Sequence, residues 1–133
     1  MTQTYALSEE SDSYQLKIEH RKDYLYAYVG EGKDSLKTSK EYWLRVLMEC
    51  NRHNFKKVLI EEDLEGNMTF PELYDFSIWL ANLKFHGILI TFVDRHLDHY
   101  EANQLSELIV TNRGLRGKVF NNFDEAEKWL LSN

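Results

Sequence analysis

The chain has 133 residues, about one domain's worth, so residues 1–133 are read as a single domain and a two-lobed enzyme with an interdomain cleft is excluded. A hydrophobic fraction of 43% supports an independent core at this size, and only 6 Gly and 1 Pro rule out collagen-like, linker-rich and low-complexity organisation. With 16 Lys and Arg against 22 Asp and Glu the net charge is -6, and the densest basic runs, His20-Arg21-Lys22 and Lys56-Lys57, are short and flanked by acids, so nucleic acid is set aside as a partner.

Residues 1–13 are polar and acidic, without the basic start and apolar run of a signal peptide, and are read as mobile. No segment reaches the roughly 18 apolar residues of a membrane helix. The single cysteine, Cys50, cannot build a disulfide framework, and the expected compartment is the reducing cytoplasm. From Tyr14 to Glu19 apolar and polar residues alternate, and from Asp23 to Val29 they do so again, with Leu25, Ala27 and Val29 opposing Tyr24, Tyr26 and Tyr28. This predicts two strands, antiparallel because the connection His20 to Asp23 is of hairpin length. Gly30 and Gly32 end the pair. Thr38-Ser39-Lys40-Glu41 then has capping-box spacing, and Trp43, Val46, Leu47 and Cys50 form the stripe of a first long helix ending near His53-Asn54.

Val58-Leu59-Ile60 runs into Glu61-Glu62-Asp63 as a strand, and a turn at Gly66-Asn67 leads to a second capping box, Thr69-Phe70-Pro71-Glu72. The helix behind it reaches about Leu83, and His86-Gly87 precedes Ile88 to Val93, apolar on both faces as a central parallel strand is. A third helix is expected from Asp98, with Ala102, Leu105, Leu108 and Ile109 inward and Asn112-Arg113-Gly114 as its stop. Lys118-Val119-Phe120 reads as a last strand, followed by a helix capped by Asp124 with Ala126, Trp129 and Leu130 facing the core. The order is ββαβαβαβα, an α/β domain with a mixed sheet that begins as an antiparallel pair and continues as parallel strand-helix units.

This element order, the short loop after Val58 to Glu62, and the ending from Phe120 through Asp124-Glu125-Ala126-Glu127-Lys128-Trp129-Leu130 resemble the STAS or SpoIIAA-like superfamily over about Tyr14 to Leu131. The resemblance implies a regulatory module of the anti-sigma-factor-antagonist type that binds a partner protein and is not an enzyme; other relatives of that fold resemble the lipid-binding Sec14 core. Antagonists of the group carry a phosphorylatable Asp-Ser-Ser/Thr-Gly motif after the third strand. Here the corresponding stretch is Asn67 to Glu72, with Thr69 as the nearby hydroxyl. A phosphoryl group on Thr69 would sit well at a helix N-terminus, but a Thr three residues before Glu is a helix cap, which is the favoured reading.

Two loops at the carboxyl ends of neighbouring parallel strands carry Glu61, Glu62, Asp63 and Glu65, and Asp94, His96, Asp98 and His99. Ligands favour that edge, and Glu61, Glu62, Asp94, His96 and His99 are candidate ligands for a divalent metal supporting hydrolysis. Their spacing matches no zinc motif, and turn-forming and helix-capping roles account for Asp94 and Asp98. No serine or cysteine nucleophile is presented at a sharp strand-to-helix turn, Cys50 falls on a core stripe, and Gly30-Glu31-Gly32 lacks the third glycine of a dinucleotide loop. No cofactor is expected.

The second helix has more apolar residues than one face holds: Leu73, Phe76, Leu80 and Leu83 make the core stripe, while Phe70, Tyr74 and Ile78 form another and Trp79 lies off both. Phe70, Tyr74, Ile78 and Trp79 are therefore the candidate partner-binding residues, for another protein or a second copy of the chain. The alternative is a carrier of a small molecule or lipid in a pocket between sheet and helices, lined by Tyr24, Tyr26, Tyr28 or the second helix.

Overall fold

In the computed structural model, residues 3–9 are described by their backbone and residues 14–83 and 85–133 in full. The alternating stretches become β2 (Tyr14–His20) and β3 (Leu25–Lys33), antiparallel to each other, and β1 (Gln3–Glu9) adds a strand before them, antiparallel to β2 along its whole length. The segment expected to be mobile thus supplies an edge strand at Gln3–Glu9; the rest of it lies outside the described residues. After β3 come α1 (Leu36–Arg52), β4 (Lys57–Glu65), α2 (Phe70–Asn82), β5 (Leu89–Asp94), α3 (Tyr100–Thr111), β6 (Arg116–Phe120) and α4 (Phe123–Ser132). From Tyr14 onward this is the ββαβαβαβα order of an α/β domain.

One sheet holds all six strands in chain order, β1-β2-β3-β4-β5-β6, with β3 to β6 parallel. Strand alternation sends successive side chains to opposite faces, and the two faces have separate cores. Leu16, Ile18, Leu25, Ala27, Val29, Val58, Ile60 and Ile90 pack with Tyr42, Trp43, Val46, Leu47 and Cys50 of α1, Phe76 and Leu80 of α2 and Val110 of α3. Tyr24, Leu59, Leu89 and Val93 on the other face pack with Ala126 and Leu130 of α4. The first three helices therefore cover one face, and α4 folds back over the second, against β4, β5 and β6. No helix among the described residues is long and apolar enough to cross a membrane.

The helix ends correct the sequence reading at three places. Ser35 caps α1, its hydroxyl accepting from the Thr38 N–H, so Thr38 and Ser39 lie buried inside the first turn and do not start it. A 3-10 turn at Leu97–His99 runs into α3, with His99 in place of Asp98 at the cap position. Asn122 caps α4 in place of Asp124, accepting from Glu125 N at 2.9 Å. The second capping box is present as read: Thr69 accepts from Glu72 N, and the Glu72 carboxylate accepts from Thr69 N at 2.9 Å. In α3 the inward stripe differs too. Val110 is the buried apolar residue and Leu108 is exposed, because α3 rests on α2 and β6 at the margin of the sheet and buries a narrower face.

Candidate functional site

Consecutive acids at the end of β4 divide between the two faces. Parallel register aligns Val29, Glu62 and Asp94 in one row and Tyr28, Glu61 and Val93 in the next, so Glu62 and Asp94 enter the helix-covered face while Glu61 turns the other way. Two polar networks follow, at the carboxyl ends of the parallel strands where open α/β sheets bind their ligands.

The inner network is buried. Tyr42 of α1, fully enclosed, donates its hydroxyl to Glu62. Beside it the Ser39 hydroxyl donates to Asp34 at 2.7 Å, and the loop carrying Asp34 is tied down by its backbone N–H to Glu65 O at 2.8 Å. Asp94 is held on both oxygens: Oδ1 accepts from His96 N at 2.9 Å, and Oδ2 meets His99 Nδ1 and the Asn103 amide, each at 3.0 Å. Burial drives the Glu62 carboxyl well above its ordinary value, and the nearby Asp34 and Asp94 carboxylates push it the same way. Burial likewise raises Asp34, against the lowering effect of the Ser39 hydrogen bond. The Tyr42 hydroxyl is held in its neutral form by burial and by Glu62. Glu62 is thereby favoured as a neutral acid in a low-dielectric setting, able to donate as well as accept.

A cavity of about 70 Å³ opens beside this network, under α2 and α3. Trp43, Leu73, Phe76, Leu80, Phe92 and Val110 make its apolar walls, and Glu62, Asp34, Ser39 and Asn103 stand at its polar side. Leu73, Phe76 and Leu80 of the α2 core stripe are therefore also chamber lining. Water-sized occupants or one small organic group fit such a volume.

The outer network is half-exposed. Tyr26 donates to Glu61 at 2.5 Å, and Arg95 Nε reaches Glu61 at 3.0 Å while its guanidinium lies 5.1 Å from the Tyr28 ring centroid. His96 Nε2 is 3.0 Å from Asp63. Burial, followed by the hydrogen bond to Glu61, raises the Tyr26 phenol, and Tyr24, beneath α4, is pushed up to about 12 chiefly by burial. The three tyrosines of β3 and its approach thus face α4 and this network, away from the chamber.

Of the five candidate metal ligands, Glu62, Asp94 and His99 lie on the inner face, Glu61 on the outer, and His96 pairs with Asp63. They are not brought together as one set. His96, Asp98 and His99 do gather, but the two imidazoles stack at 5.1 Å with their planes only 18° apart. In-plane nitrogen lone pairs on near-parallel rings do not converge on a common point. Of the candidate contact residues, Phe70 and Tyr74 are 64% and 43% exposed, whereas Ile78 and Trp79 are half-buried, Trp79 lying 5.9 Å from Phe76 and beneath Lys40. Thr69 is exposed and occupied in its cap.

The sequence reading passed over Asp34, Ser39, Tyr42 and Asn103, which complete the inner network, and His20, Glu49 and His53, which cluster at the opposite edge of the sheet. The signal for Tyr42 was a polar-tipped residue on an otherwise apolar helix face, four residues before Val46. For Glu49 and His53 it was their spacing, one helical turn apart. No protein-family model matches the chain, and no curated protein is significantly similar to it.

Proposed function

We propose that the chain is a non-catalytic binding domain whose chamber takes a small, mostly apolar molecule with a hydrogen-bonding head, the head meeting Glu62 and Asp34. The observation that carries this is an apolar cavity ending at Glu62, whose carboxyl burial raises well above its ordinary value, with Asp34 beside it shifted in the same direction. Apolar walls with a few convergent polar groups are the usual form of a small-ligand site. An amine head also fits, since the Glu62 and Asp34 carboxyls offer it acceptor oxygens. Native mass spectrometry of gently purified protein tests the reading: a retained small molecule is expected, absent from Leu80→Trp, which fills the chamber. A parent that flies at its bare mass, and whose tryptophan fluorescence ignores a panel of short-chain alcohols and amines, refutes it.

One observation favours a second reading, self-association through α2. Phe70 and Tyr74 stand exposed one helical turn apart, more apolar surface than this stripe needs for the core. A two-fold pair would set each stripe against its copy, and the resemblance to partner-binding SpoIIAA-like modules points the same way. Light scattering at tens of micromolar decides it: a dimer that Phe70→Ala and Tyr74→Ala dissociate supports this reading, and a strict monomer removes it.

A further inference from the structure

At the edge of the sheet opposite the chamber, the geometry points to a transition-metal site formed by His20, Glu49 and His53, suited to zinc. His20 ends β2, next to the start of β3 and β4; Glu49 and His53 lie one turn apart at the carboxyl end of α1. One ligand atom from each of the three falls within 4.8 Å of the other two. Two imidazoles and a carboxylate are a donor set that zinc favours over calcium or magnesium, which prefer oxygen alone.

The ring geometry differs from that of the His96 cluster. His20 and His53 have centroids 4.6 Å apart with planes inclined by 62°, so their in-plane lone pairs escape the parallel arrangement that keeps those of His96 and His99 apart. His53 Nε2 already stands 2.8 Å from Glu49 Oε1. Around a tetrahedral zinc with ligand bonds of roughly 2.0 to 2.2 Å, ligand atoms are spaced about 3.4 Å apart. Moving from the present arrangement to that one asks for small rotations, which the exposed His53 side chain allows. Phe55 packs edge-on against His20 at 5.0 Å and fixes one wall.

Each imidazole binds a metal in its neutral form. On binding, His53 presents Nε2 without its proton, through the tautomer that keeps the hydrogen on Nδ1, and the Glu49 contact becomes a shared bond to the ion. Three protein ligands leave a fourth position for water. The ion then ties the end of β2 to the end of α1.

Zinc titration of the full chain by calorimetry, with thermal melts alongside, tests the site. One zinc per chain and a rise in melting temperature are expected. His53→Ala and His20→Ala should each lower affinity by more than the roughly 10- to 100-fold that loss of an outer-shell partner causes. Glu49→Gln should weaken binding too, and His96→Ala should leave it unchanged. Because His53 is exposed, its variant is expected to keep the parent's circular dichroism and carries the test if His20→Ala does not fold. Absence of zinc binding, binding indifferent to His53→Ala, or binding lost in His96→Ala would each overturn the assignment.

Discussion

Replacing Glu62 by glutamine gives a pH-dependent gain in stability whose sign and slope follow from burial. Below the ordinary value of 4.5 the carboxyl is protonated whether the chain is folded or not. Above it the unfolded chain releases the proton while the native protein keeps it, because the folded value is raised by burial and by Asp34 and Asp94. The native state then binds one more proton than the unfolded state, so stability falls as pH rises, by about 1.4 kcal/mol per pH unit until the folded value is passed. Asp34, also raised, adds a contribution of the same sign over its own window. The side-chain amide of the E62Q variant has no proton to lose across this range and keeps a carbonyl to accept from Tyr42. The difference between variant and parent should therefore be smallest near about pH 4.5 and widen with that slope, each kcal/mol worth roughly 3 to 5 °C in melting temperature for a domain of this size. Urea unfolding of both proteins between about pH 5 and pH 8 reads it directly. Parallel stability curves for parent and E62Q across that range would refute the picture of a buried, proton-holding Glu62.

Tyr42→Phe removes the hydroxyl that Glu62 accepts from and should cost about 1 to 3 kcal/mol in urea unfolding. Thr69→Ala breaks the capping box and should cost about 1 kcal/mol by the same measurement; a change near zero would mean the box contributes nothing to α2. Cys50, whose thiol burial pushes up to about 12, should resist iodoacetamide at neutral pH in the native protein and react once urea unfolds it, as mass spectrometry would record. Phe70→Ala should alter monomer stability by less than about 0.5 kcal/mol, since its ring is exposed; a larger loss would show that the ring packs in a way the exposure does not reveal.

What the sequence made legible was what hydrophobic periodicity records. Alternation in Tyr14 to Val29 and the apolar runs of β4 and β5 gave strands because one or both faces of each are buried, and Trp43, Val46, Leu47 and Cys50 marked α1 because they line one side of a cylinder. Gln3–Glu9 lacks that record: it lies at the end of the sheet and pairs with one neighbour only, so backbone hydrogen bonding places it without a long apolar pattern. Caps shifted by one to three residues because several Ser, Thr, Asn and Asp stand near the helix starts and sequence alone does not choose among them. The candidate site was half legible. That Glu61, Glu62 and Asp94 sit at strand ends, with His99 in the loop beyond, follows from the order of elements, but the assignment of Glu61 and Glu62 to opposite faces depends on strand phase, and a one-residue slip exchanges them. Asp34, Tyr42, His20 and His53 come from elements distant in sequence, and only the folded chain sets them beside their partners.

The sequential order of the strands bears on how the molecule is made. Each strand hydrogen-bonds to the one just before it in the chain, so a segment leaving the ribosome finds its partner edge already assembled, and no strand waits for one not yet synthesised. Short-range pairing of this kind lowers the loop-closure entropy of each addition. The exception is α4, which lies across β4, β5 and β6 on the bare face. Until Ala126 and Leu130 arrive, Leu59, Leu89 and Val93 have no cover there. A chain halted near Phe120 would therefore display an apolar sheet surface and should be the species that chaperones hold or proteases clear, whereas a chain halted before β1 to β3 have closed would expose little beyond a hairpin.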